Sequence, residues 1–489
     1  MRYKRVLLIN PSFPKEGGEL LRPSAGLGYL AESIKSRGIE YDVIDLNLGY
    51  RFRHLVKKID SFQPDFLGVT VLSLGYKDVY AMLGQLKSLY PHIPIGVGGP
   101  HVSLLKEKVL RDCSAIDVGV VFEGEKTLVE ICLGQKSLAE IPGLMYRSEQ
   151  GIVYTGPRGN DDSLDELPFP RYEKFELHKY VHERVIISSR GCPYQCIFCP
   201  NKLITPAFRM RSPQNVVEEI EYWYNKGYRQ FNFDDDNFNQ SRKRVVEMCD
   251  LLRERNMEGL LLRCSNGLRA DRLDREILQR MWQAGFRYLG IGADGGNNKV
   301  LKTLQKGERI EDIENAVKLA TELGFGVKLF FVVGTPGETW DDVMDSARLA
   351  QKYPIQRVHF YNLIPYPGTK LYQWVDEHKR FIIPPEEYLN NISDLIYVPL
   401  FETPELSREQ RIEALTYLKG VSRQVSKNAV KRLFENYRGL NLVLASLFTT
   451  DRVQRWIFQN VLFRKMVEMI RYQKIMRQKN DEQVRVTGI

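Results

Sequence analysis

The chain has 489 residues, 43% apolar, 11% aromatic and 27% charged, a balance that buries large cores and excludes a disordered chain. Seven cysteines are too few, and odd in number, for a secreted disulfide scaffold, so a reducing, cytoplasmic setting is expected. The net charge of +9 sits in the tail: residues 421–489 hold 14 Lys+Arg against 5 Asp+Glu, and the first 420 residues sum to about zero. The length predicts roughly three domains. No run approaches the roughly 18 apolar residues of a membrane span.

Met1 to Arg5 is basic and Val6-Leu7-Leu8-Ile9 apolar, but Asn10-Pro11 ends the run without a small-residue cleavage site. It reads as a buried first strand rather than a leader. Further short runs follow at 41–45, 66–71, 95–98 and 118–121, separated by amphipathic stretches of helical length. Such alternation predicts a flavodoxin-like, Rossmann-type parallel sheet over residues 1–135. Its ligand face is the carboxyl end of the strands, where Ser12, Ser73, Gly98, Gly99 and Glu123 stand. Small residues there admit a large flat ligand; equally, they close βα loops.

Residues 136–182 are weakly patterned, and Gly156-Pro157 and Pro168-Phe169-Pro170 mark a linker. From 183 to 384 six strand candidates appear, at 185–189, 230–234, 260–265, 288–293, 328–334 and 358–364, with helical patterns between them. Six β/α units predict a partial (β/α)6 version of the TIM-type barrel, with its site at the strand carboxyl ends. Residues 385–489 read as mostly helical and basic.

Gly191-Cys192-Pro193-Tyr194-Gln195-Cys196-Ile197-Phe198-Cys199-Pro200 places three cysteines in eight residues, at C-x3-C-x2-C, after the first barrel strand. Thiolates so spaced converge on a soft metal centre. Zinc wants a fourth ligand, and the closest histidines, His178 and His182, precede the strand. Three thiolates suit a four-iron cluster with one iron open. Cys113, Cys132 and Cys249 lie in helical patterns and read as buried apolar residues, and Cys264 as a packed thiol.

This motif resembles the signature of radical S-adenosylmethionine (SAM) enzymes. Phe233-Asp234-Asp235-Asp236-Asn237 is similar to the acidic segment ending their second strand. Gly334-Thr335-Pro336-Gly337-Glu338 and Pro365-Tyr366-Pro367-Gly368 are similar to their fifth- and sixth-strand endings. Residues 23–30, Gly98-Gly99-Pro100-His101 and Glu123-Gly124-Glu125 resemble the cobalamin-binding domain that precedes the barrel in the subfamily including the anaerobic magnesium-protoporphyrin ester cyclase. The chain lacks the Asp-x-His-x-x-Gly of cobalamin domains that ligate cobalt with histidine. Asp294-Gly295-Gly296-Asn297 replaces the usual fourth-strand Glu-Ser-Gly-Ser.

The resemblance implies a [4Fe–4S] cluster on Cys192, Cys196 and Cys199, with SAM on the open iron. Phe198 would cover the adenine, Asp234, Asp235 and Asp236 accept from the SAM ammonium, and Asp294 hold the ribose. Gly334 would bring backbone close to the adenine or close a turn. It implies cobalamin at Ser12, Ser73, Gly98, Gly99 and Glu123, and a reductant such as flavodoxin or ferredoxin. The function implied is radical C-methylation of a small-molecule or lipid-like substrate. The alternatives are ring formation or rearrangement by the same build, and an iron–sulfur electron-transfer or binding protein, which the open iron argues against. A transfer-RNA methylthiotransferase would carry N-terminal cluster cysteines, which Cys113 and Cys132 do not resemble.

In the tail, Leu440, Leu444, Trp456, Leu462 and Met469 stand among Arg452, Arg464, Lys465 and Arg471. Large apolar residues beside basic ones predict helices over about 427–480 that touch the anionic inner face of a membrane. The competing expectation packs the apolar face on the barrel and leaves the charges solvated. No nucleic-acid module is present, so no nucleic-acid partner is expected.

Overall fold

Val6, Leu7, Leu8 and Ile9 have no exposed surface, as a strand covered on both faces requires. In the computed structural model, which describes residues 1–13, 21–159, 163–391, 395, 397–433 and 453, they form β1 (Arg5–Asn10). With β2 (Glu40–Asp45), β3 (Phe66–Thr70), β4 (Ile95–Gly98) and β5 (Val118–Val120) it makes a parallel sheet ordered β2-β1-β3-β4-β5. The order reverses between β1 and β3, and that switch opens a crevice at the strand carboxyl ends. The helix Ala25–Lys35 lies over it, started by Ser24, whose Oγ accepts from the Leu27 N–H at 3.3 Å.

Within the stretch expected as a linker, β6 (Leu144–Ser148) extends this sheet antiparallel to β5, and β7 (Gly151–Tyr154) pairs antiparallel with β6. Leu144 and Met145 are fully buried. A hairpin this short, buried over only its first residues, leaves too few alternations to read as a strand pair. Tyr172, Phe175 and Tyr180 are buried as well, in a core shared with the barrel. Part of the expected linker therefore belongs to the folded body.

The second sheet begins at β8 (Glu183–Ile186), followed by a two-residue ladder of β9 (Ser189–Arg190) with β10 (Arg209–Met210). Then come β11 (Gln230–Phe233), β12 (Leu261–Leu268), β13 (Phe286–Asp294), β14 (Gly326–Val333) and β15 (Arg357–Asn362). The six long strands pair in parallel as β8-β11-β12-β13-β14-β15. The sheet stays open between β8 and β15, as a six-unit barrel must. Leu262, Cys264, Leu289, Ile291, Leu329 and Phe331 are buried on its outer face. The alternate residues share the inner face: Arg263 lies over the Tyr288 ring, and Lys328 over the Phe330 ring. A closed barrel fills that space with Val, Ile and Leu; here it is polar and aromatic.

Beyond β15 the described residues hold the helices Lys370–Glu377, Pro385–Tyr388 and Arg408–Leu433. The helix Arg408–Leu433 buries Ala414, Leu415, Leu418, Val421 and Val425 in the barrel core. Of the tail expected to touch a membrane, about 427–480, only 427–433, the end of that helix, and 453 are among the described residues. No helix among the described residues is long and apolar enough to cross a membrane.

Candidate active site

The carboxyl end of β8 leads into the cysteine loop. Gly191 turns the chain at φ 80°, and a Cβ there would stand 2.5 Å from the Ala207 carbonyl oxygen, so the turn requires glycine. The loop is pinned from both sides. Ile197 N–H donates to Leu304 O at 3.0 Å, and Leu371 N–H to Ile197 O at 2.9 Å. Gly191 N–H donates to Asp236 Oδ2 at 3.2 Å. Cys192 and Cys196 are half-buried and Cys199 exposed. Burial pushes the Cys196 thiol up to about 12, so binding a metal there releases its proton. Among the described residues no three His, Cys, Asp or Glu side chains converge on a single ion. Cys113, Cys132, Cys249 and Cys264 are buried, as expected of packed thiols.

The acidic segment divides by the alternation of the strand it leaves. Asp234 and Asp236 are exposed and face a cavity. Asp235 turns the other way and is 1% exposed. It accepts from Ser188 N–H at 2.6 Å, from Ser189 N–H at 3.1 Å and from the Ser188 hydroxyl. The expectation that Asp235 binds the SAM ammonium is thus corrected: its carboxylate ties the end of β8 to the end of β11. Asp294, at φ 59°, is paired with Lys306 Nζ at 2.6 Å, and Lys306 also reaches Glu308 at 3.4 Å. Sequence reasoning missed Lys306 and Glu308. They sit in a turn without a motif, and only the charges flanking Gly307 hinted at them.

Gly334 has φ 105°, and its Cβ would meet Arg411 Nη1 at 2.5 Å. Arg411 Nη2 donates to Gly334 O at 3.1 Å. The glycine therefore makes room for the Arg411 guanidinium in a left-handed turn. Phe198 is half-buried and packs with Ile197 and Tyr366 on an apolar cluster.

A cavity of about 350 Å³ joins the two sheets. Leu8, Leu27, Gly68 and Gly96 form its apolar depth, Thr70, Gly98 and Gly99 its strand-end rim, and Arg190, Thr205, Asp234 and Asp236 its barrel side. A Cβ at Gly26 would meet nothing within 4 Å, and one at Gly98 only Val120, at 3.8 Å, so both present open surface to a ligand. This wide, mostly apolar space with a glycine rim fits a corrin. Gly99 differs: at φ 107° its Cβ would lie 2.9 Å from Val71 O, so the turn into the helix Pro100–Leu105 demands glycine.

Ser12 is exposed and, with Ser73, is not among the cavity walls. Ser73 Oγ lies 3.1 Å from His101 Nδ1. His101 is fully buried, stacks on Tyr76 and sits 3.0 Å from the Tyr80 hydroxyl; burial lowers it to about 4, so it is neutral. Glu123 does line the cavity, but its carboxylate belongs to Arg190, at 2.9 Å, and to Arg209. Arg190 also holds Glu125 at 2.7 Å. These pairs join the first sheet to the barrel, and neither arginine carried a sequence signal.

Residues 186–350 match the Radical SAM superfamily, and residues 20–132 the B12 binding domain. An uncharacterised methyltransferase of Pyrococcus horikoshii is 28% identical over 453 residues, covering 89% of this chain and 96% of that one. The anaerobic magnesium-protoporphyrin IX monomethyl ester cyclase of Cereibacter sphaeroides is 25% identical over 76% of this chain and 63% of its own length. In fold, the chain is similar to the radical SAM methyltransferase TsrM of Kitasatospora setae, solved with cobalamin and a [4Fe–4S] cluster bound. The TM-score is 0.68, the identity 19%, and the match covers 93% of this chain and 99% of that one. The chain is a radical SAM enzyme. It is one that carries a B12-binding domain ahead of the barrel, and its cofactors are a [4Fe–4S] cluster, SAM and cobalamin.

Proposed function

We propose that the chain is a cobalamin-dependent radical SAM methyltransferase that methylates an unactivated carbon of a small-molecule or lipid-like substrate. A cytoplasmic flavodoxin- or ferredoxin-type protein supplies its electrons. The observation that supports the reading is one cavity walled by Gly98 on the side proposed for the corrin and by Asp234 and Asp236 on the side proposed for SAM. Methyltransferase is also what the Pyrococcus relative and the Kitasatospora protein are named.

Cys192, Cys196 and Cys199 would hold the cluster, which would supply the electron for SAM cleavage, and cobalamin would supply the methyl group. The protein's own residues position and exclude. Asp234 and Asp236 accept from the SAM ammonium, at the end of a strand that Asp235 holds in register. Lys306 neutralises Asp294 beside the cysteine loop. Phe198 covers the loop, and Leu8, Leu27 and the glycine rim keep water from the corrin side.

Anaerobic reconstitution followed by assay of 5′-deoxyadenosine and S-adenosylhomocysteine tests the reading. Both products are expected. The first product alone indicates ring formation or rearrangement, and neither indicates an electron-transfer or binding protein.

A further inference from the structure

On the reading above, in which the corrin side and the SAM side face one cavity, we propose that Arg190 is a positioning residue for both cofactor sites. Its side chain grips the wall proposed for the corrin, and its backbone leads straight into the cysteine loop. One residue thereby sets the separation of the two sites.

The barrel side of this link has no slack. Gly191 alone separates Arg190 from Cys192. The Ala207 carbonyl oxygen crowds the Gly191 turn, and Asp236 holds its N–H. Just before it, Ser189 N–H donates to Asp235 at 3.1 Å and Ser189 Oγ to Asn237 O at 3.3 Å. Arg190 itself pairs with Arg209 across the β9–β10 ladder. A shift of the Arg190 backbone therefore passes to Cys192 instead of dying out in a loop.

The first-sheet side is equally tight. Arg190 spreads its terminal nitrogens over two carboxylates, Nη1 on Glu123 at 2.9 Å and Nη2 on Glu125 at 2.7 Å. Arg209 reaches Glu123 as well. Glu125 is buried and opens the helix Glu125–Leu133, and the other three are half-buried. Gly124, between the two carboxylates, lies against the helix Ala25–Lys35, where its Cβ would stand 3.2 Å from Leu30 Cδ2. On that helix the Tyr29 ring lies 4.9 Å from the Arg190 guanidinium, and the Tyr29 hydroxyl accepts from Arg211 Nη1 at 3.3 Å. Tyr29, Leu30, Glu123, Gly124, Glu125 and Arg190 all line the cavity. The guanidinium thus ties one cavity wall to the other. A rigid planar fork holds two carboxylates in one arrangement, whereas a lysine ammonium on a flexible stem keeps the charge and loses the arrangement. Reactions between positioned groups are steep in distance: a misplacement of about 1 Å costs about 100-fold in rate.

The test is pulsed EPR of the enzyme loaded with cluster and hydroxocobalamin and reduced with dithionite. The reduced cluster and cob(II)alamin are then both paramagnetic, and their dipolar coupling reads their separation without any substrate. The unaltered enzyme should give one narrow distribution of separations. Arg190→Lys, which keeps a cation beside Glu125, and Glu123→Gln should each take up both cofactors, judged by absorbance, and broaden that distribution roughly two-fold or more. If Arg190→Lys does not fold, Glu123→Gln carries the test. Cys249→Ala, a core change in the barrel away from the joint, should leave the distribution narrow. Distributions as narrow in the Arg190 and Glu123 variants as in the unaltered enzyme, or an equal broadening in Cys249→Ala, overturn the positioning role. Failure of the unaltered enzyme to take up hydroxocobalamin overturns the cobalamin reading itself, and so is told apart from failure of Arg190 alone.

Discussion

Cys192, Cys196 and Cys199 share one loop, while Cys132 is 0% exposed in the first core. Cys192→Ala, Cys196→Ala or Cys199→Ala should each abolish cluster absorbance and SAM cleavage. Cys132→Ala should cost about 1–2 kcal/mol in urea unfolding and leave the absorbance unchanged; loss of the cluster in that variant overturns the ligand assignment. Gly98 is the place to block the corrin, because its Cβ would point into open cavity. Gly98→Leu should prevent hydroxocobalamin uptake and keep the iron–sulfur spectrum, whereas Gly99→Leu should also lower stability through its strained φ.

Glu338 offers a test by pH. It is 1% exposed and accepts from Gly334 N–H at 2.5 Å and Thr335 N–H at 3.0 Å. Burial, opposed by those bonds and Arg411, pushes its carboxyl up to about 7. The folded state then holds a proton that the unfolded chain has already lost, so stability falls as pH rises from the ordinary carboxylate range to about 7. The fall is on the order of 3 kcal/mol. Glu338→Gln keeps the acceptor and should flatten that window, measured as the urea midpoint at pH 5 and pH 7.5.

Among the elements, the strands of both sheets were legible because continuous apolar runs alternate with amphipathic stretches of helical length. The hairpin β6–β7 was not, since a strand of four or five residues buried at one end carries almost no period. The join between sheets was equally silent: Glu123 and Glu125 precede Arg190 and Arg209 by more than 60 positions. Cutting that join is informative. Arg190→Met leaves Glu125 buried without its cation, and should cost about 3–5 kcal/mol. It should also speed proteolysis between the two bodies, around residues 156–168. An unchanged cleavage pattern would show that the apolar core alone holds them together.

For the whole molecule, the helix Arg408–Leu433 changes how the basic tail is tested. Val421 and Val425 are buried in the barrel core, and Arg432 donates to Ile355 O at 2.6 Å, so a chain cut near 420 loses part of that core. A chain ending at 433 keeps it. If the tail contacts anionic membranes, the full chain should pellet with anionic liposomes at low salt and the chain ending at 433 should not; equal pelleting removes the membrane contact. The grouping of Cys192, Cys196 and Cys199 was readable because three cysteines in one loop are a local object, set by spacing along the chain. The order of sheet and barrel was readable because periodicity is local too. Lys306 beside Asp294, Arg411 filling the space at Gly334 and the turning of Asp235 away from its neighbours emerged only from the fold. Each depends on which distant segments burial brings into contact, and burial is decided by the packed whole.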